Sequence, residues 1–315
     1  MSNQEHSLFI ESLSDSKLGI QFLPTTVCPL PIKEPDNYRI ETRSGKVTLD
    51  VVGGKYGVPH GRDNLIVLWL ILLSRKHNGR KITNPSIYDF LKTFDIEKTK
   101  LNYNDARSRL LRIIYSNWTW TITEQSGAGY FNRTINVNII SDSLLFWDPR
   151  NVGIEKSPEA TLFEEYIELS EGFYETIKNY KIPYRLEVVK EIQNAPTLLN
   201  LYLFLSYRIY SVWRQRQAGL GNGVVKIPLF GDNGLKHQLG SPINNRSFKL
   251  RLKGYLEELK KYWPNCPAEL DSELSPSDEK RRKTSGDRLV IKVKDISELD
   301  VMPNMDYEIA KSIKS

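Results

Sequence analysis

The sequence predicts an α+β chain in which two runs of helices are each closed by a two-stranded hairpin. Three observations carry that prediction. In the stretch from Leu235 to Trp263, Phe248, Leu252, Tyr255, Leu256 and Leu259 fall at i, i+4, i+7, i+8 and i+11, one apolar stripe of a helical period. After it, the segment from Cys266 to Leu270 and the run from Arg288, in which Leu289, Ile291 and Val293 alternate with their neighbours, read as two strands around a turn-rich loop. An earlier stretch, from Asp63 to about Ile140, repeats the order helix, helix, helix, hairpin. That is the element order of a winged helix. The expected fold is therefore two tandem winged-helix domains, each a helix-turn-helix plus β-hairpin wing, with an N-terminal extended arm.

Residues 1–37 are polar, then proline-rich with weak periodicity, and read as that arm, partly disordered at its start. Tyr38 to Val52 forms two alternating runs around Ser44-Gly45, a hairpin signal. A glycine-rich link follows, and Asp63 then stands as the cap of a helix that is apolar almost all round, hence buried. Helices at Ile87–Phe94 and Asn102–Asn117 come next, then strands at WTWTIT and NRTINVNII. The glycine, proline and charge mixture after Pro149 marks a domain junction, so the first domain is expected over 38–152, the second over 153–300, and a tail over 301–315. In the second half ATLFEEYIELS is strand-like, a short helix lies near Phe173, and PTLLNLYLFLSYRIYSVWRQRQ is a core helix. The GLGNG run lacks the Lys-Ser/Thr of a phosphate cradle and reads as a connector.

The helix at Phe248 has a second face. Arg246, Lys249, Lys253 and Lys260 share one side, the arrangement of a helix that lies in a DNA groove; a solvated face on a core helix is the alternative for this helix taken alone. Gly240 supplies the permissive turn residue, Ser241 the cap and Pro242 the first helical position, which puts Asn244, Asn245 and Ser247 at the helix start, where base-reading groups usually stand. Asparagine suits adenine and arginine suits guanine, so Asn245, Arg246, Lys249 and Lys253 are the principal candidates for groove contact. Arg251 is a lesser one because its helical angle points away from that stripe. On the corresponding first-domain helix, Arg107, Arg109 and Arg112 are candidates, with Asp105 a competing partner for Arg109. Arg133 and the cluster Lys280, Arg281, Arg282 and Lys283 are the wing candidates for phosphates.

Composition agrees. The 315-residue chain carries net charge +6 with pI near 9.0, which favours polyanionic partners, and its length suits two packed cores. Two cysteines, Cys28 and Cys266, without CxxC spacing indicate neither a zinc module nor a disulfide framework, in keeping with a cytoplasmic protein. The longest apolar run, Leu65 to Leu73, is half a bilayer crossing, and no signal peptide pattern opens the chain. Catalysis is not expected. Nicking initiators need a His-x-His pair beside a tyrosine, and His6, His60, His77 and His237 form no pair, while Tyr202, Tyr207 and Tyr210 stand on the core helix. No cofactor or metal is indicated.

Several segments also carry a family resemblance. GKYGVPHGRDNLIVLWLILLSRKHNGRKI, IYDFLKTFDI, LFWDP, FEEYIELSEGFYETI, PTLLNLYLFLSYRIY and PINNRSFKLRLKGYLEEL resemble, in order, segments of plasmid replication initiators of the RepA/TrfA type. The chain departs from that pattern at Asp63-Asn64 and in its long basic wing loop. The resemblance implies a non-enzymatic initiator that binds origin direct repeats (iterons), helps open A·T-rich duplex, recruits the host replication initiator and helicase, and represses its own promoter as a homodimer. A winged-helix transcription regulator with no replication role is the alternative.

Overall fold

The structure, a computed structural model, describes residues 30–36, 39–44, 47–126, 129–136, 138–145, 165–179, 184–231, 234–271 and 287–294. Strands β1 (Arg39–Ser44) and β2 (Val47–Val52) form the expected hairpin. A one-turn 3-10 helix over Gly61–Asp63 leads into α1 (Asn64–His77), whose residues from Asn64 to Ile71 are all buried. The helix stops where Asn78 turns left-handed (φ 50°), a conformation asparagine tolerates. Strand β3 (Lys81–Thr83), α2 (Ile87–Thr93) and α3 (Lys100–Ile114) follow, α3 being capped by the Thr99 side chain accepting from Asn102 N.

Next come β4 (Asn117–Ser126), β5 (Gly129–Asn136), β6 (Ile140–Leu144) and β7 (Tyr166–Leu169), then α4 (Glu171–Asn179), α5 (Leu186–Ile192) and α6 (Pro196–Gln217). The chain continues through β8 (Val224–Pro228), α7 (Leu235–Gln238), α8 (Asn245–Tyr262), β9 (Ala268–Asp271) and β10 (Arg288–Lys292). Helix α6 has the span its sequence pattern predicts, with proline at its first position and Leu198 to Tyr207 buried without a break.

The described strands fall into three antiparallel sheets: β1-β2-β4-β5, β3-β7-β6 and β8-β10-β9. Here the structure differs from the sequence reading. The β4–β5 hairpin, expected as the wing of the first domain, instead extends the β1–β2 hairpin, because Leu49 and Val51 pair across the ladder with Trp120 and Trp118 to make one apolar face. Strands β6 and β7 stand with β3 in a separate sheet. Strand β7, expected beyond the junction at 152, pairs with β3 and β6 of the first half through Ile167 and Leu169, both fully buried.

The two three-stranded sheets share one order: in β3-β7-β6 and in β8-β10-β9 the strand that comes last in the chain lies between the other two. Central strand β10 has both Leu289 and Ile291 buried, as alternation predicts, and Val290 buried on the opposite face as well.

Trp118 marks the join of α3 to the four-stranded sheet. Its indole N–H donates to Ser116 Oγ at 2.7 Å, and Ser116 in turn donates to Ile113 O at 3.0 Å, both groups being buried. Ser116→Ala leaves a buried indole N–H without its acceptor, and urea unfolding should show a loss of about 1–3 kcal/mol.

The two halves are bolted through polar side chains. Asn64 Nδ2, on α1, donates to Asn200 Oδ1 of α6 at 3.0 Å, and Asn200 donates onward to Leu30 O at 3.2 Å. Gln193 Nε2 reaches Phe94 O at 2.6 Å, and Lys190 pairs with Asp95 at 2.8 Å. Leu30 is fully buried and Gly61 N donates to Pro31 O at 2.7 Å, so the end of the proline-rich arm is docked on the body of the protein.

Candidate nucleic-acid interface

Helix α8 is held against its unit by Phe248, Leu252, Leu256 and Leu259, all buried, with Phe248 edge-on to Phe230 at 6.3 Å between ring centres. The turn before it depends on Gly240, whose φ of +61° a side chain would strain. The cap differs from the sequence reading. Helix α8 begins at Asn245, and Asn244, not Ser241, is its cap, accepting from Ser247 N at 2.9 Å. The Asn244 oxygen is thus occupied by backbone. Asn245 Oδ1 accepts from Lys236 Nζ at 3.0 Å, which uses one of its two acceptor positions.

Arg246, Lys253 and Lys260 are exposed on one side of α8, as their spacing predicts. Lys249 is half-exposed and makes an ion pair with Asp287 at 2.6 Å, which ties the helix to the start of β10. Between α8 and β9 lies a groove of 630 Å³ lined by Arg246, Lys249, Lys253 and Lys260 together with Leu250, Glu257 and Glu269. The carboxylates were not anticipated from the charge pattern. Glu257 gives the face an acceptor suited to a cytosine amino group and unsuited to phosphate.

Directions around the helix sharpen this picture. At about 100° per residue, Leu250, Gly254 and Glu257 stand roughly opposite the buried stripe, with Arg246 and Lys253 on one flank. Arg251, also exposed, stands on the other flank. Arg251 therefore borders the outward line even though it lies off the Arg246–Lys253 stripe.

The first half presents a different surface. Arg112 makes a two-point pair with Asp63 (Nε–Oδ2 2.7 Å, Nη2–Oδ1 2.9 Å), and Asp63 is completely buried. Arg109 makes a two-point pair with Asp105 at 2.7 and 3.0 Å, the partner its spacing suggests, and also approaches Asp63 at 3.4 Å. Arg62 joins the cluster, reaching Asp105 at 3.5 Å and Asn194 Oδ1 at 2.7 Å. Burial works to lower the Arg112 pKa, but the Asp63 hydrogen bonds and charge outweigh it and hold it above its ordinary value. Arg62 is pushed below its ordinary value, by burial first and then by the charge of Arg109.

Arg109 and Arg112, expected on the DNA side, are therefore turned inward, and Asp63, which stands at the expected N-cap position of α1, makes no side-chain cap hydrogen bond to that helix and instead closes the capping box of the one-turn helix before it. Its carboxylate binds the two arginines and accepts from His60 N at 3.0 Å. The exposed residues of α3 are Lys100, Leu101, Asn104 and Ser108; Arg107 is half-buried. Arg133 belongs to β5, where it pairs with Ile122. Lys280, Arg281, Arg282 and Lys283 lie outside the described residues. Tyr202, Tyr207 and Tyr210 are buried on α6, where the Tyr202 hydroxyl accepts from Arg185 N at 2.7 Å.

Residues 85–220 match the model of a family described as plasmid-encoded RepA protein. The chain carries a RepA-type segment. It runs from the approach to α2 through α6, which makes it the stretch that joins the two halves, and it indicates a plasmid replication initiator. Among solved structures, the fold of this chain is similar to that of domains 2 and 3 of RctB, at TM-score 0.53 and 12% identity over 90% of this chain and 99% of that one. A second structure, spanning RctB residues 155–483, gives TM-score 0.51 and 13% identity over 87% and 97%. At these identities the likeness concerns the fold. A comparison with curated proteins gives no match. Among the described residues no helix is long and apolar enough to cross a membrane.

Proposed function

We propose that the protein is a sequence-specific double-stranded DNA-binding replication initiator of a plasmid, acting without catalysis on direct repeats at the origin. The observation that carries this reading is α8: a helix anchored by four buried side chains whose outer surface holds Arg246, Arg251 and Lys253, on a chain with a RepA-type segment. We read each half as a winged helix, with α3 and α8 as third helices and β6–β7 and β9–β10 as wings. The first unit then ends after β7 and the second begins at α6. Contact with bases falls to Asn245, Arg246, Lys249 and Lys253, with Arg251 and Ser247 beside them. Lys280 to Lys283 and Arg133 contribute phosphate contacts. Arg109 and Arg112 are withdrawn from that set because Asp63 and Asp105 occupy them, so α8 is the principal reader.

Opening of the A·T-rich duplex, recruitment of the host initiator and helicase, and self-repression as a dimer follow from the same reading. Two measurements test it. If about six cations each neutralise a phosphate, log affinity for a repeat-bearing duplex should fall with log salt at a slope of roughly −5, and a slope near zero would overturn DNA binding. The gene with its neighbouring repeat array should sustain an otherwise non-replicating plasmid; failure in a compatible host, with binding intact, would leave a transcription regulator.

A further inference from the structure

We propose that Leu250 reads thymine, by packing against the C5 methyl group that this base displays in the major groove. The inference rests on the reading of α8 as the groove helix and adds a base to its target. Leu250 is 74% exposed on a helix whose other long aliphatic residues, Leu252, Leu256 and Leu259, are all buried. It points about 165° from the mean direction of the buried stripe, at about 100° per residue, so it is the foremost side chain on whatever α8 faces. Arg246 and Lys253 on one flank and Arg251 on the other bracket it with positive charge, which favours a polyanion on this face.

Gly254, one turn further along the same outward line, strengthens the placement. A Cβ at that position would meet nothing within 4 Å, so no packing inside the protein requires a glycine there. Glycine inside a helix is unfavourable relative to alanine. Its presence beside Leu250 leaves a flat patch of backbone on the face turned away from the core, which lets a base edge approach the helix closely. Among base edges in the major groove, only thymine offers an apolar group to a leucine; the others present donors and acceptors, which Leu250 cannot satisfy.

The test uses the full chain and a duplex selected by it from a random library of about two helical turns. That duplex is then resynthesised with deoxyuridine replacing thymidine at one position at a time, which removes only the methyl group. The wild type should bind about fourfold more weakly when the contacted methyl is missing, the effect of one buried carbon. Leu250→Ala should bind the thymidine and deoxyuridine duplexes alike, with an unchanged salt slope and, since Leu250 is outside the core, an unchanged melting temperature. Equal wild-type binding at every substituted position would overturn the proposal, as would a Leu250→Ala protein that still discriminates. Should the wild type select no duplex at all, the DNA-binding reading falls and this inference with it.

Discussion

Asp63→Ala is expected to lower the unfolding free energy by about 3–5 kcal/mol, the cost of leaving buried charge without its partner. The carboxylate is completely buried and is the only described partner of the two-point pair with Arg112. Arg109 keeps Asp105 when Asp63 is lost, so the damage centres on Arg112 and on the turn at His60, whose N–H also points at Asp63. Urea unfolding followed by tryptophan fluorescence gives the number, because Trp69 on α1 and Trp118 beyond α3 lie in the same core. Replacing both partners, Asp63→Leu with Arg112→Leu, should recover a large part of the loss, since a well-packed apolar pair avoids the desolvation that the ions bear. A single Asp63→Ala change with less than 1 kcal/mol of effect would show that water reaches the cluster.

The triple change of Arg246, Lys249 and Lys253 to alanine should abolish selective binding to a repeat-bearing duplex. Each good bidentate contact contributes about 1–3 kcal/mol of discrimination, and three lost cations reduce the salt slope by about three. Isothermal titration across a salt series measures both. The fold should survive, because the core face of α8 is made by Phe248, Leu252, Leu256 and Leu259. Lys249 is the exception within the set. Its ion pair with Asp287 holds the start of β10, so the variant should melt slightly earlier, by an amount that Asp287→Ala alone reproduces; exposed pairs of this kind contribute about 0–1 kcal/mol. Retained selectivity in the triple variant would place base reading elsewhere on the chain.

The elements were legible in the sequence wherever periodicity was strong and local. The spans of α1 and α6, the body of α8 though not its start, and the β9–β10 hairpin follow from apolar spacing, and the α8 cation stripe is where its spacing puts it. What escaped depends on pairing between distant segments. WTWTIT reads equally well as a wing or as a sheet extension, and only the face made by Leu49 and Val51 on β2 decides between them. Likewise ATLFEEYIELS carries no mark that β3, some eighty residues earlier, is its partner. Short α5 lies in a run with little more than one helical turn of apolar signal.

The site was half legible for a related reason. A search for positive charge finds Arg109 and Arg112 as readily as Arg246, because a sequence does not say whether an arginine faces a buried aspartate 46 or 49 residues away. Asp63 on its own looks like a helix cap. Leu250 was invisible because a leucine on an amphipathic helix is expected inside, and Gly254 because a single glycine carries no charge or period. The departure of Asp63-Asn64 from the family pattern was visible, and the structure gives both residues work: one anchors the arginine cluster, the other bonds Asn200 across the two halves.

The outward line of α8 bears on how such a protein diverges. Leu250, Gly254 and Glu257 support no core contact, and residues 85–220, the stretch shared with the RepA family model, end before α8 begins. On the proposed function, a plasmid lineage that exchanges these few positions acquires a new origin preference while its initiator keeps its stability. Two plasmids of common descent would then cease to compete for one another's initiator and coexist in a single host, through substitutions confined to a strip about two turns long on one helix.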